Sequence, residues 1–182
     1  MFFRNRPHFQ GNKHLTVRDM AVFGMLGALM FVTKVIMEAL PNIHLLGLFI
    51  MVFTLTYRTR ALIPIYIYVF LNGIIAGFSF WWIPYLYIWT ILWGVTMLLP
   101  KKMPAWLCSI VYPLVCTLHG LFFGILYAPV QALMFGLTFE ETMLWIAGGL
   151  TFDVLHAIGN FAAGLFILPL HRTLEKLEKR RN

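Results

Sequence analysis

The sequence predicts an all-α integral membrane protein, and three observations support that prediction. Of the 182 residues, 60% are hydrophobic and only 12% are charged, whereas a soluble domain carries about 25% charged residues. The hydrophobic residues form long runs, and the basic residues form short clusters between those runs. We therefore expect a single membrane domain over residues 1–182, with a cytoplasmic N-terminal segment (1–18) and a cytoplasmic tail (172–182).

Six apolar runs are candidate transmembrane helices, since a bilayer core of ~30 Å needs about 20 helical residues. The predicted spans are 20–39, 44–57, 61–78, 82–99, 105–127 and 142–168. Lysines and arginines lie before the first span and after the second, fourth and sixth, whereas the loops around Pro41, Ser79 and Gly136 contain none. The positive-inside rule then predicts six crossings with both termini in the cytoplasm.

Local signals predict several helix ends. The segment from Thr138 to Glu141 has the spacing of a capping box, so the last helix should begin near Phe139. Pro129 is expected to bend or end the fifth helix. It would leave residues 130–137 as a short external or re-entrant segment. The C-terminal LEKLEKRR is expected to extend the last helix.

The sixth span carries a polar stripe that is expensive in lipid. Its segment TFDVLHAIGN contains Asp153, His156 and Asn160, and the aspartate alone costs roughly 2.5–3.5 kcal/mol at a helix centre. At ~100° per residue the three side chains share one face of a helix. We expect this face to line an internal pocket. The alternative is a polar clamp, in which the same groups hydrogen-bond other helices and touch no ligand.

Polar and aromatic residues elsewhere are candidates for the same pocket. They are Asn72, Trp82, Tyr85, Trp89, His119, Tyr127 and Gln131. The aromatic members can stack on a planar ligand, although an outer aromatic belt is the simpler explanation for most of the aromatic residues in their region. Lys34 and Glu38, four residues apart in the first helix, form either an ion pair or the lip of a pocket.

Small residues mark one face of the first helix. Ala21, Gly24 and Ala28 lie within ~60° of one another on a helix. Such spacing lets a second helix approach closely. Because the stripe is near the cytoplasmic end, it predicts a docking face for a partner.

The chain from about residue 18 to residue 172 resembles the substrate-binding S components of energy-coupling factor (ECF) transporters, small six-helix proteins that capture vitamins and related micronutrients. The resemblance rests on the six-helix plan and on three motifs. Gly24-xxx-Ala28 stands where the family has Ala-xxx-Ala. The others are LPNIH (40–44) in the first outer loop and FDVLHAIGN (152–160) in the sixth helix.

The resemblance implies a role for each motif. Ala21, Gly24 and Ala28 would dock with a membrane coupling subunit that is bound to two ATPases. The loop containing Asn42 and His44 would act as a lid over a pocket among helices four to six, which the polar stripe would line. ATP would be used in trans by the partner ATPases, because the chain has no G-x-x-x-x-G-K-[S/T] motif, and no cofactor is expected in the chain itself. The expected location is a bacterial plasma membrane.

We therefore expect high-affinity binding of a water-soluble micronutrient, with cobalamin as the most specific candidate. An intramembrane enzyme using Asp153, His156 and His119 is an alternative, but a metal centre needs three or more well-placed ligands. A stand-alone transporter is another, although no inverted repeat is visible. Nucleic acid is not an expected partner, because the basic residues do not line one face. Cys108 and Cys116 are expected to be packing residues.

Overall fold

In the computed structural model, the described residues 15–40 and 42–181 form helices joined by turns, with no strand in that part of the chain. The helices are α1 (Val17–Ile36), α2 (Leu46–Tyr57), α3 (Leu62–Ala76), α4 (Tyr85–Leu98), α5 (Ala105–Leu121), α6 (Phe123–Phe135), α7 (Phe139–Gly164) and α8 (Ile167–Arg181), with short 3-10 turns at Arg58–Ala61 and Phe80–Trp82. The predicted all-α class is confirmed. Most of the predicted N-terminal segment, and Pro41 of the predicted lid, lie outside the described residues.

Four helical stretches in the described part of the chain are long and apolar enough to cross a membrane. They are Val17–Ile36, Leu46–Ala76, Ala105–Phe135 and Phe139–Gly164. These stretches support a membrane protein. Helix α4 has 14 residues, fewer than the about 20 needed for a full crossing, so the six crossings stay a prediction.

Helix α2 lies at the centre of the bundle because it is apolar on every side. Ten of its twelve residues are buried, and it packs against α4, α5, α7 and α8. Helix α1 instead packs mainly on α3, and α7 packs mainly on α5. A helix that is hydrophobic all round belongs in a core, so α2 provides the surface around which the other helices assemble.

Capping boxes begin two of the long helices. At α7 the Thr138 N–H donates to Glu141 Oε2 (2.8 Å) and the Glu141 N–H donates to Thr138 Oγ1 (3.3 Å). The predicted start at Phe139 is confirmed. Helix α1 begins in the same way, with a capping box formed by Thr16 and Asp19. This T-x-x-D pattern was not among the predicted helix starts. Each box satisfies backbone N–H groups that have no partner inside the helix.

The predicted end of the fifth helix at Pro129 is wrong. The interruption falls at Phe122, between α5 and α6, and α6 continues through Pro129 to Phe135. Membrane helices tolerate prolines, and Pro129 lies inside α6. Residues 130–135 are therefore helical. The chain turns at Gly136, whose φ of 64° suits glycine.

The predicted continuous extension of the last transmembrane helix is also wrong. Helix α7 ends at Gly164, and LEKLEKRR belongs to a separate helix, α8. Pro169 explains the break, because it lacks the N–H that would bond to the Leu165 carbonyl. Helix α8 packs on α2, where the Tyr57 hydroxyl donates to Glu178 Oε1 at 3.0 Å.

Candidate functional site

Four ring side chains from separate parts of the chain meet inside the bundle. His44 precedes α2, Trp89 lies in α4, His119 in α5 and His156 in α7. The Trp89 ring is central, with centroids 6.0 Å from His44 and 5.7 Å from His119, and the rings of His44 and His156 are 4.6 Å apart. We refer to these four residues as the ring cluster.

Three further aromatic side chains surround the ring cluster. Tyr68 of α3 and Tyr85 of α4 have ring centroids 6.3 Å and 5.8 Å from Trp89. Phe123 of α6 lies 5.6 Å from Trp89 and 5.0 Å from His156. Tyr85 was predicted as a site residue, but Tyr68 and Phe123 were not. A planar molecule in this region would contact aromatic faces and edges.

The ring nitrogens of the cluster are buried without partners. His44 Nδ1, Trp89 Nε1, His119 Nδ1 and His156 Nε2 have no hydrogen-bond partner among the described residues. Trp89, His156 and His119 are only 1%, 3% and 7% exposed. Each buried polar atom without a partner costs about 1–3 kcal/mol, and native proteins contain few of them. Because four such atoms lie in one place, the ring cluster is the candidate binding site of the described residues.

The tautomer of His119 follows from its surroundings. His119 Nε2 lies 3.1 Å from the Ile88 carbonyl oxygen, and a carbonyl oxygen can only accept. The proton of a neutral ring is therefore on Nε2, and Nδ1 is an acceptor. The Trp89 indole N–H can only donate. The site thus presents at least one donor and one acceptor to a ligand.

The polar stripe of α7 divides into two kinds of contact. Asp153, His156 and Asn160 are all buried, as their helical spacing predicts. Asp153 Oδ1 accepts from the Gly124 N–H at 3.0 Å, and Asn160 Nδ2 donates to the Cys116 carbonyl at 3.0 Å. These two bonds are those of the polar clamp, whereas His156 joins the ring cluster. Contact of Asp153 or Asn160 with a substrate stays a prediction.

Close packing explains why the ends of the stripe act as a clamp. A Cβ added at Gly120 would lie 2.8 Å from Asn160 Nδ2, and one added at Gly124 would collide with Asp153 Oδ2. A Cβ added at Gly149, one turn before Asp153, meets nothing within 4 Å. The stripe is therefore tightly packed from Asp153 inward and open at its Gly149 end.

The remaining predicted site residues lie at various distances from the ring cluster. Trp82 packs on α3, where its Nε1 donates to the Val69 carbonyl at 2.8 Å, and it does not join the cluster. Asn72 is 2% exposed and lies one turn after Tyr68 on α3. Asn42 is exposed, with a φ of 56°. The structure therefore brings His44, rather than Asn42, from the predicted lid into the cluster.

Tyr127 and Gln131 line a separate cavity of about 230 Å³. Its lining residues are Ser79, Phe80, Trp81, Tyr127, Val130, Gln131, Met134 and Phe135. The Tyr127 hydroxyl donates to the Trp81 carbonyl at 3.0 Å. The Phe123 ring lies 6.3 Å from the Tyr127 ring and 5.0 Å from the His156 ring. Tyr127 therefore lines the cavity and is linked to the ring cluster through Phe123, whereas none of the four cluster residues lines the cavity.

The geometry does not favour a metal centre. Within residues 15–40 and 42–181, no group of three or more His, Cys, Asp or Glu side chains is placed to hold a metal ion.

The two cysteines are free and buried, as expected of packing residues. Lys34 Nζ and Glu38 Oε1 lie 2.9 Å apart. Of the two predictions for these residues, an ion pair or the lip of a pocket, the structure shows the ion pair.

The small-residue stripe of α1 is uncovered. Ala21 and Ala28 are exposed, and a Cβ added at Gly24 meets nothing within 4 Å. Gly27 lies on the other side of the helix, where an added Cβ would be 2.5 Å from Ile67 Cγ2 of α3. Helix α1 thus has one face packed on α3 and one small-residue face that no other described residue covers.

Comparison of the chain with protein-family models, with curated proteins and with solved structures found no match. The functional interpretation therefore depends on the residues of the site and on the motifs in the sequence.

Proposed function

We propose that this protein is the substrate-binding membrane subunit of an ECF-type transporter that takes up a water-soluble micronutrient. The observation that carries the proposal is the ring cluster, where four buried ring nitrogens lack partners. A ligand that supplied those partners would offset a cost of about 1–3 kcal/mol per atom. Tight binding in a small, sheltered site is what a capture subunit requires.

The origin of the cluster residues supports the same function. His44 belongs to the first loop, which the resemblance to S components assigns to a lid, and Trp89, His119 and His156 belong to α4, α5 and α7. A ligand held by all four would tie the loop to the bundle. Binding and closure of the loop would then be coupled, because the lid supplies one of the binding groups.

Six crossings are part of the proposal. The stretch Leu46–Ala76 has 31 residues and as a straight helix would be about 46 Å long, well beyond a core of ~30 Å. Arg58 interrupts it with a φ of 59°, and Arg60 follows in the same turn. Two arginines at a break fit the cytoplasmic surface better than the membrane interior. Helices α2 and α3 would then cross separately, with 12 and 15 residues, so that each, like α4, is shorter than a straight crossing of about 20 residues.

Energy coupling would come from partners. The uncovered face of Ala21, Gly24 and Ala28 offers close approach to a helix of a membrane coupling subunit. Two ATPases bound to that subunit would hydrolyse ATP. Cobalamin is the most specific candidate from the sequence, and because Trp89 is 1% exposed, so large a ligand would require the bundle to open widely.

Uptake in cells tests this function. Cells that lack endogenous vitamin uptake would express the chain with or without the ECF coupling subunit and ATPases of its native host, and labelled vitamins would be supplied one at a time. The proposal expects accumulation of one vitamin only when the whole module is present. Equal accumulation with the chain alone would identify a stand-alone transporter, and no accumulation with an assembled module would also contradict the proposal.

A further inference from the structure

We infer that the ring cluster selects an uncharged planar heterocycle and discriminates against relatives of the same ring system that carry a carboxylate, a phosphate or a fixed positive charge. The inference rests on the proposed function and narrows its substrate class. It follows from the hydrogen-bonding groups of the cluster, from the charges around it and from the shape of its walls.

The hydrogen-bonding groups call for a ligand edge with both an acceptor and a donor. Trp89 Nε1 can only donate, and His119 Nδ1 accepts because Nε2 of the same ring faces the Ile88 carbonyl. His156 Nε2 and His44 Nδ1 add two more positions without partners. Amide-like and ring-nitrogen edges of neutral heterocycles carry such mixed groups, whereas a carboxylate or phosphate only accepts.

The charges near the cluster oppose an anion. Helices α4, α5, α6 and α7 contain no lysine or arginine. Lys34 of α1 is already 2.9 Å from Glu38 Oε1. The one carboxylate near the cluster is Asp153, one turn from His156. An anionic ligand would lose its hydration without gaining a cation, and burial of an unpaired charge is strongly unfavourable.

A cationic ligand is disfavoured for a related reason. Asp153 Oδ1 accepts from the Gly124 N–H at 3.0 Å, so that oxygen already has a partner at the start of α6. The cluster itself contains no carboxylate. A ligand with a fixed positive charge could interact with the aromatic faces. It would, however, enter the cluster without the counter-ions that surround it in water.

The walls favour a flat molecule. Rings of Tyr68, Tyr85 and Phe123 lie 5.6–6.3 Å from the Trp89 ring centroid. Trp89 is 1% exposed and fills the centre, so a ligand must displace or stack on that ring. These rings meet Trp89 edge-on or tilted, so a planar heterocycle that entered the cluster could present its edge to one ring and its face to another.

Matched ligands test the inference on the purified full chain. Calorimetric titrations would compare nicotinamide with nicotinic acid and 1-methylnicotinamide, riboflavin with flavin mononucleotide, and pyridoxine with its 5′-phosphate. We expect one neutral member to bind at least about 100-fold more tightly than its charged relatives, from the cost of burying an unpaired charge. A charged member that binds as tightly as its neutral relative, or no binding by any neutral member, would overturn the inference.

A pair of variants on α7 locates the selectivity. His156→Phe keeps a ring beside Phe123 and His44 but removes both nitrogens, and it should weaken binding of the neutral ligand at least about 10-fold. Ile158→Phe places the same new residue on the exposed side of α7 and should leave affinity within about twofold. Unchanged affinity in a folded His156→Phe protein, verified by thermal melting, would refute the assignment.

The two proposals can fail separately. If the protein binds a charged vitamin tightly and imports it with the ECF module, the proposed function stands and the selectivity is wrong. If a neutral heterocycle binds through the ring cluster but the assembled module imports nothing, the selectivity stands and the transport function is wrong.

Discussion

Trp89 occupies the centre of the ring cluster, where its ring and its indole N–H have opposite effects on stability. Its indole N–H is buried and lacks a partner, while its ring contacts five neighbouring rings. These are His44, Tyr68, Tyr85, His119 and Phe123. The packing stabilises the bundle, whereas the N–H destabilises it in the absence of a ligand.

Trp89→Phe separates those two effects. The variant keeps an aromatic ring and removes the donor, so it should weaken ligand binding about 10-fold. The apparent melting temperature of the ligand-free protein in detergent should stay the same or rise, because the buried donor is gone while most of the packing remains. Calorimetry and thermal melting measure the two quantities. A lower affinity with a strongly lowered melting temperature would point to packing alone.

Gly124→Ala tests the contact between α6 and α7. The added Cβ would collide with Asp153 Oδ2 and disturb the bond from the Gly124 N–H, so unfolding free energy should fall by about 1–3 kcal/mol. Gly149→Ala is the matched control, since its Cβ meets nothing within 4 Å and a helical alanine gains about 0.5–1 kcal/mol over glycine. Equal stability of the two variants would rule out a close Asp153–Gly124 contact.

Among the elements, α1 has two glycine positions with opposite surroundings. Gly24→Leu should leave folding intact, because Gly24 faces open space, but should lower co-purification with the coupling subunit at least about 10-fold by blocking close helix approach. Gly27→Leu should instead destabilise the chain itself, because its Cβ would meet Ile67 of α3. Pull-down and thermal melting distinguish the two. Normal assembly of Gly24→Leu would remove this face from the partner interface.

The element boundaries show which local signals suffice. The Thr138 capping box predicts the start of α7, because the two bonds involve residues only three apart. Pro129 misleads, since α6 continues through it to Phe135 and a proline alone does not fix where a membrane helix ends. Pro169 could have predicted the break before α8, because the lost bond to Leu165 is local.

The site is less predictable than the helices because it is assembled from distant segments. His119 and His156 can be recognised in the sequence because they are polar, ionisable residues inside apolar spans. Burying such a residue in lipid is unfavourable, so its presence indicates a functional role. Phe123 and Tyr68 give no such signal, since an aromatic residue is common in any membrane helix. Trp82 looks equivalent to Trp89 in sequence, yet its N–H bonds the Val69 carbonyl and only the three-dimensional structure separates the two.

At the scale of the whole molecule, the six-crossing topology can be tested with single cysteines. Ser79→Cys and Gly136→Cys should react with a membrane-impermeant maleimide added outside intact cells, whereas Thr59→Cys and Lys101→Cys should react only after the membrane is opened. Native Cys108 and Cys116 are buried and should contribute little background. External labelling at Thr59 or Lys101 would contradict six crossings with both termini inside.

The ring cluster and the small-residue stripe lie in different parts of the molecule. The ring cluster draws on the first loop and on α4, α5 and α7, whereas the small-residue stripe lies on α1, which packs mainly on α3. Because the two regions use different helices, we expect substitutions in the ring cluster to change ligand affinity without changing partner assembly, and substitutions in the stripe to do the reverse.

The most direct test of the central claim is a calorimetric titration of the purified, folded protein with a panel of water-soluble vitamins. If the ring cluster is a ligand site, at least one member should bind with a Kd below about 10 μM, and binding should weaken in His156→Phe but persist in Ile158→Phe. No member binding below that value would contradict the claim.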